Sequence, residues 1–304
     1  MHGRGTMKKI VECVPNFSEG KDADKVEKIA DAFRGREGVK LLDYQRDANH
    51  NRSVITVIGE PGPLKEAVIT AVGAAVALID MRVHRGQHPR MGAVDVIPFI
   101  PLRNTTMEEA VELSRDVAQA IYEAHRLPVF LYEASTADPA RKNLADIRKG
   151  QFEGMPEKLT LPEWKPDFGE RTIHPTAGVV AVGARMPLVA FNINIGTDNI
   201  EIARAIAGRV RHIGGGLRYC KAIGIALKER GITQVSMNMT DYTRTPLYQA
   251  FELVKTEAKR YGVNVVGSEI IGLVPLGAIA DTAAYYMGIE DFTTEKILEA
   301  RIME

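Results

Sequence analysis

Through the first hundred residues of this chain, apolar positions alternate, then recur at helical spacing, then alternate again. Lys9 to Asn16 (KIVECVPN) has strand character. Asp22 to Arg34 places Val26, Ile29, Ala30 and Phe33 on one helical face, with acid near its start. Two β-branched runs follow, Val39 to Tyr44 and Ser53 to Ile58, separated by the polar turn Arg46-Asp-Ala-Asn-His50. Leu64 to Ile79, opened at Pro61-Gly-Pro63, reads as a second helix, and Ala93 to Ile100 (AVDVIPFI) as a further strand. The order β-α-β-β-α-β is the split βαβ arrangement of ferredoxin-like domains.

The same order returns towards the end of the chain. Leu188 to Ile195 is a strand, and Asp198 is placed to cap a helix reaching about His212. Cys220 to Leu227 and Ile232 to Met239 alternate on either side of the turn Glu229-Arg-Gly231. Pro246 to Tyr261 sets Leu247, Ala250, Phe251 and Val254 on one helical face, and Val263 to Ser268 closes the unit. Helices near Pro275 to Tyr286 and Thr294 to Met303 finish the chain. Between the two units, Met107 to His125 is helical and Pro128 to Leu131 is a short strand. Glu153 to Pro175 reads as a proline-rich loop. Phe152, Trp164 and Phe168 give it material to pack, so an ordered functional loop is expected. The expected architecture is α/β (α+β): two ferredoxin-like βαββαβ units, residues 7–186 and 187–304, with sheets facing an interdomain cleft.

Charge narrows the partners. The 39 basic residues balance the 39 acidic ones, which gives no electrostatic case for nucleic acid or an anionic membrane. Cys13 and Cys220 sit in apolar runs as buried thiols suited to a reducing compartment, and no Cys-x-x-Cys pair points to zinc. The start, Met1 to Met7, lacks the apolar stretch of a signal peptide. The apolar run Ala71 to Ile79 is too short to span a bilayer, so a cytoplasmic protein is expected.

Candidate chemistry concentrates in His84-Arg-Gly-Gln-His88-Pro-Arg90-Met-Gly92. Histidine titrates nearest neutrality, so such a loop suits proton transfer. The i, i+4 spacing of His84 and His88 would suit a metal on a helix. Gly86 and Pro89 disfavour that helix, and no His-Glu-x-x-His pattern is present. On these residues alone the choice between a catalytic base and a solvated turn stays open. Asn49-His-Asn-Arg52 reads as turn chemistry, with Arg52 able to grip a carboxylate. Asp167-Phe-Gly169 through Gly178 brings glycines and hydroxyls to a strand start without a kinase context. Gly214-Gly-Gly216 follows a helix and so is a C-terminal break. Asn192, Asn194, Asn238, Thr240 and Asp241 suggest a lined cavity, with edge exposure as the simpler account.

Taken together these segments resemble the formiminotransferase family, from Met7 onward. The matching motifs are Val11-Glu-Cys-Val-Pro-Asn-Phe-Ser-Glu-Gly20, Asn51-Arg52, His88-Pro-Arg-Met-Gly-Ala93 and Asp95-Val-Ile-Pro-Phe99. Further matches are Ala145-Asp-Ile-Arg-Lys-Gly150, Trp164 with Pro166-Asp-Phe-Gly169, Gly183-Ala-Arg185 and Ala190-Phe-Asn-Ile-Asn194. Gln234-Val-Ser236, Gly267-Ser-Glu and Gly272-Leu-Val-Pro-Leu276 complete the set. Their collinearity makes the match specific.

The resemblance implies transfer of a formimino group from N-formimino-L-glutamate to tetrahydrofolate, a co-substrate, with no metal. It places the general base and acid on His88. It places folate contacts on Gly169 to Gly178, where Gly169, Thr172, His174, Thr176 and Gly178 are the candidates. It also implies a homodimer. Animal members carry a fused cyclodeaminase for which nothing remains after Glu304, so the stand-alone form is expected. Gln87 stands where relatives often carry Glu, and Asp43 and Asp47 are the candidates for orienting His88.

In this chemistry N5 of tetrahydrofolate loses a proton as it attacks, and the departing glutamate nitrogen gains one. One histidine serves both steps, worth roughly 10²–10⁴ in rate. Both substrates carry carboxylates, which makes Arg52, Arg90 and Arg185 candidate anchors. The alternatives are formyl rather than formimino transfer, and a pterin- or folate-binding module without catalysis.

Overall fold

Pro15 has no amide hydrogen to give a ladder, and it splits the first expected strand into β1 (Ile10–Cys13) and β2 (Asn16–Phe17). The computed structural model describes residues 8–302. The expected start at Met7, the preceding tail and the helix end at Met303 lie outside the described residues. The chain divides into two units, the first ending at Arg185 and the second beginning at Met186.

In the first unit, α1 (Ala23–Ala30) opens at Asp22, whose carboxylate accepts the amides of Asp24 and Lys25. It is followed by β3 (Val39–Asp47), β4 (Arg52–Gly59), α2 (Pro61–Leu78) and β5 (Val94–Arg103). β1 and β2 lie antiparallel between β4 and β5, and β3 pairs on the outer side of β4. That order is the ferredoxin-like one. Strict alternation on β4 sends Ser53, Ile55 and Val57 inward, where Ile55 and Val57 join Val11, Cys13, Phe17 and Phe99 beneath α2. α2 alone is long and apolar enough among the described helices to cross a membrane, and Leu64, Ala67, Val68, Ala71, Val72 and Ala75 of it are buried in this core.

The unit then extends beyond the basic fold. α3 (Met107–His125) begins with a capping box between Thr106 and Glu109 and leads to β6 (Val129–Leu131), α4 (Leu144–Arg148), α5 (Gln151–Lys158) and β7 (Val180–Ala184). β7 runs parallel to β5, and β6 parallel to β7, giving the order β3-β4-β1/β2-β5-β7-β6. The expected loop from Glu153 onward is therefore partly helical. Phe152 and Met155 bury one face of α5 despite Pro156 inside it, and Met155 packs with Met91, Val96, Phe130 and Val179.

The second unit repeats the topology: β8 (Val189–Ile195), α6 (Ile200–Val210), β9 (Cys220–Leu227), β10 (Ile232–Met239), α7 (Leu247–Lys259) and β11 (Val265–Ile271). The sheet order is β11-β8-β10-β9, all antiparallel. The cap of α6 is Asn199 rather than Asp198; its side chain accepts the Glu201 amide. α8 (Leu276–Met287) and the short α9 (Leu298–Ile302) follow. Both cysteines are free and buried.

Candidate functional site

The polar loop His84–Gly92 is anchored by buried groups from three elements. Glu19 accepts the amides of Gly20, Lys21 and Asp22 through one carboxylate oxygen at 2.9–3.0 Å. Asn51, held at φ 49° in the turn between β3 and β4, accepts the Gly20 amide at 3.0 Å and donates its Nδ2 to the Arg85 carbonyl at 2.9 Å. His84 is buried between this turn and Arg90. Arg90 Nε donates to its Nδ1 (3.2 Å), so the ring proton sits on Nε2 and is donated to the Asn51 carbonyl (3.0 Å). The ring is neutral and structural, not solvated. Burial lowers its pKa further.

Arg90 is fully engaged. Beyond His84, its guanidinium grips Glu153 in bidentate fashion (2.6 and 2.8 Å) and donates to Gln151 Oε1 (3.1 Å). The guanidinium hydrogen bond is the main reason Glu153 titrates down at about 2. A carboxylate depressed in this way stabilises the fold above its ordinary value near 4.5, and that gain disappears as pH falls towards 2. Glu153→Gln is therefore expected to unfold at lower urea at pH 7, by less than about 1 kcal/mol because Glu153 is more than half exposed. The two proteins should converge near pH 2. A gap that persists there would exclude the ion pair as its source.

His88 faces a different set. Arg52, the first residue of β4, donates Nη1 to His88 Nε2 at 2.8 Å. A guanidinium has donors only, so Nε2 accepts, and the ring is neutral with its proton on Nδ1. Burial, followed by the charges of Arg52 and Arg148, pushes the imidazole down to about 3. Arg148, at the end of α4, is paired with Asp95 Oδ2 at 2.5 Å, and Asp95 Oδ1 accepts the Met91 amide at 3.0 Å. Among the described residues Arg52 forms no ion pair within 4 Å, though Asp95 and Asp47 act on it from further away. The acids expected to orient His88 do neither: Asp47 holds the His50 ring (2.7 Å) and Asp43 accepts from Gln45 (3.1 Å). A cation orients His88. Sequence reasoning missed Arg148 and Asp95 as site residues, although both lie in motifs quoted above.

The 169–178 segment reaches the same loop through Gly178. At φ 73°, with a Cβ there only 2.3 Å from the Met91 carbonyl, only glycine fits the bridge between Gly178 and Gly92. His174 closes a tight turn by exchanging backbone hydrogen bonds with Gly178, and its Nδ1 accepts the Ala177 amide at 3.0 Å. Thr176 donates its amide to the same His174 Nδ1 at 3.4 Å and its carbonyl accepts the Met81 amide at 2.8 Å, while Thr172 is exposed. Gly169, at φ 116°, lies against Pro128 and Tyr122, away from the His88 loop. Arg185 follows β7, its amide bonded to the Phe99 carbonyl at 2.9 Å, and its charge partly offsets the burial that raises Glu12.

In the second unit Gln234 Nε2 donates to Asn194 Oδ1 (2.9 Å) and Glu269 Oε1 (2.8 Å), and Asn192 Nδ2 donates to the same Glu269 oxygen (3.1 Å). These amides lie on β8 and β10, the two central strands, so edge exposure does not explain them.

A neutral imidazole flanked by two arginines can move a proton beside a bound anion. The N-terminal subdomain model of the formiminotransferase domain matches residues 10–185, and the formiminotransferase domain model matches residues 190–302. The chain belongs to the formiminotransferase family. The glutamate formimidoyltransferase of Streptococcus pyogenes serotype M1 is 54% identical over 98% of this chain and 100% of its own length. That of Thermoplasma acidophilum is 46% identical over 96% and 97%. The formimidoyltransferase-cyclodeaminase of Rattus norvegicus is 42% identical over 92% of this chain, which spans 53% of that longer relative. His88, Arg52, Arg148 and the 169–178 segment all fall in the part matched by the formiminotransferase N-terminal subdomain.

Proposed function

We infer that the protein is a glutamate formimidoyltransferase, moving the formimino group of N-formimino-L-glutamate to N5 of tetrahydrofolate and releasing L-glutamate. The observation that carries this reading is the neutral His88 set between Arg52 and Arg148, in a chain that matches stand-alone relatives of that name along nearly their whole length. His88 takes the proton from N5 and returns one to the departing glutamate nitrogen. Arg52 and Arg148 attract substrate carboxylates, with Arg185 as a further cation. Arg90 acts indirectly, holding His84 and Glu153. Gly178 and His174 shape the turn against which the pterin lies; Thr172 and Thr176 extend that contact, while Gly169 packs on Pro128 and Tyr122 at the far end of the segment. Two buried free thiols suit a cytoplasmic enzyme, and the family points to a homodimer.

The test is direct. Purified protein supplied with tetrahydrofolate and formiminoglutamate is expected to form 5-formiminotetrahydrofolate, with formylglutamate at equal concentration turned over far more slowly. Equal turnover of the formyl donor, or no product from either, would overturn the assignment.

A further inference from the structure

As placed, His88 is a hydrogen-bond donor and not a base. Its Nε2 lone pair is already taken by Arg52 Nη1 at 2.8 Å, and Nδ1 carries the proton. A protonated nitrogen and an occupied one leave nothing to accept a proton from N5. Arg52 itself is incomplete: a partly buried guanidinium whose single side-chain hydrogen bond goes to a neutral ring, with no ion pair among the described residues. Buried guanidinium groups are ordinarily paired with carboxylates or phosphates, which they grip in bidentate fashion. The neighbouring Arg148 has its own partner in Asp95, so that carboxylate is already committed.

We propose that Arg52 is a carboxylate-operated latch on His88: a substrate carboxylate draws the guanidinium away from Nε2, and only then can that nitrogen accept a proton. This deepens the reading above, on which it rests. The exchange is favourable in kind, because a hydrogen bond from a cation to a neutral ring is replaced by a pair in which both partners are charged and the grip is bidentate. It also corrects the electrostatics. The charged and titratable groups around His88 are Arg52 on β4, Arg148 on α4, Asp95 on β5, His50 and Asp47 at the β3–β4 turn, and His84 in its own loop. In the free protein the two arginines dominate and hold the ring down at about 3, too weak a base for efficient proton transfer near neutrality. An added carboxylate offsets one of them. The base thus becomes competent only when an anionic substrate is in place. The carboxylate can come from the formimino donor or from the glutamate tail of the folate.

The experiment follows the His88 ring nitrogens by NMR in the intact protein across pH, first free, then saturated with formiminoglutamate alone, then with tetrahydrofolate alone. Saturation is established by calorimetry on the same samples. The ligand whose carboxylate works the latch is expected to raise the His88 pKa by about one to two pH units and to release Nε2 from its hydrogen bond. The other ligand should leave both unchanged, which names the source. Arg52→Met should raise the free-state pKa without ligand and abolish the response. If both ligands fail to shift His88, or Arg52→Met titrates as wild type does, there is no latch. Loss of the latch would leave His88 as base intact as a question for activity assays. Conversely, an active His88→Ala enzyme would overturn the base while the NMR response could persist.

Discussion

His88→Ala is expected to lower kcat/KM for formimino transfer by about 10²–10⁴ while leaving the protein folded. The first half follows from the chemistry: without His88 no neutral imidazole faces the two arginines, since His84 has committed both ring nitrogens to Arg90 and Asn51. The second half follows from packing. His88 is only partly buried, belongs to none of the apolar clusters, and its one side-chain hydrogen bond is to Arg52. Urea midpoints at pH 7 should therefore nearly coincide. Acid separates the two proteins in a defined direction. Because His88 is depressed from 6.5 to about 3 in the fold, the unfolded chain binds the extra proton between those values, and wild type loses stability as pH falls through that window. His88→Ala should lose less. A fully active variant would remove His88 from the mechanism, and a variant unfolded at pH 7 would show that the loop depends on its ring.

How much of this was legible follows the physics of each signal. Strands such as Ser53 to Ile58 and Cys220 to Leu227 declare themselves by alternation, because one face meets a helix layer and the other does not. The ferredoxin-like order could be read twice for that reason. β7 is five residues of Val-Ala-Val-Gly-Ala, buried throughout, so it carries no period to read. α5 is hidden by Gly154 and Pro156 and exists because Phe152 joins the main core of the unit while Met155 joins a second cluster with Val96 of β5 and Ala181 of β7. The site was legible as a place but not as a circuit. Residue types single out His88 and Arg52, yet nothing in the spacing of residues 52, 88, 95 and 148 shows that a cation, not an acid, holds the histidine. Arg90 looked like an anchor because free and engaged arginines are identical in sequence. Only the bidentate Glu153, sixty-three positions away, distinguishes them.

Asp95 carries the largest expected effect on stability. It is essentially excluded from solvent in the middle of the site, with Oδ2 on Arg148 Nη2 at 2.5 Å and Oδ1 on the Met91 amide at 3.0 Å. Asp95→Ala strands the Arg148 guanidinium, whose Nε already has no partner among the described residues, and frees a buried amide at the base of the His88 loop. Removing one member of a buried pair costs about 3–5 kcal/mol, which for a unit of this size lowers the melting temperature by roughly 10 °C. The pair itself is a weaker source of stability than its rupture suggests, because both charges had to be desolvated to form it. Asp95→Leu combined with Arg148→Met should therefore melt above Asp95→Ala. The same double variant takes one positive charge away from His88 and so should raise its pKa, whereas Asp95→Ala, leaving Arg148 unneutralised, should lower it. Calorimetric melting of the three proteins, with the His88 titration on each, reads both consequences. A single variant that melts with wild type would mean that Arg148 finds another counter-charge and that the loop is not held from Asp95; a double variant that melts below Asp95→Ala would mean that the buried pair is itself a net source of stability.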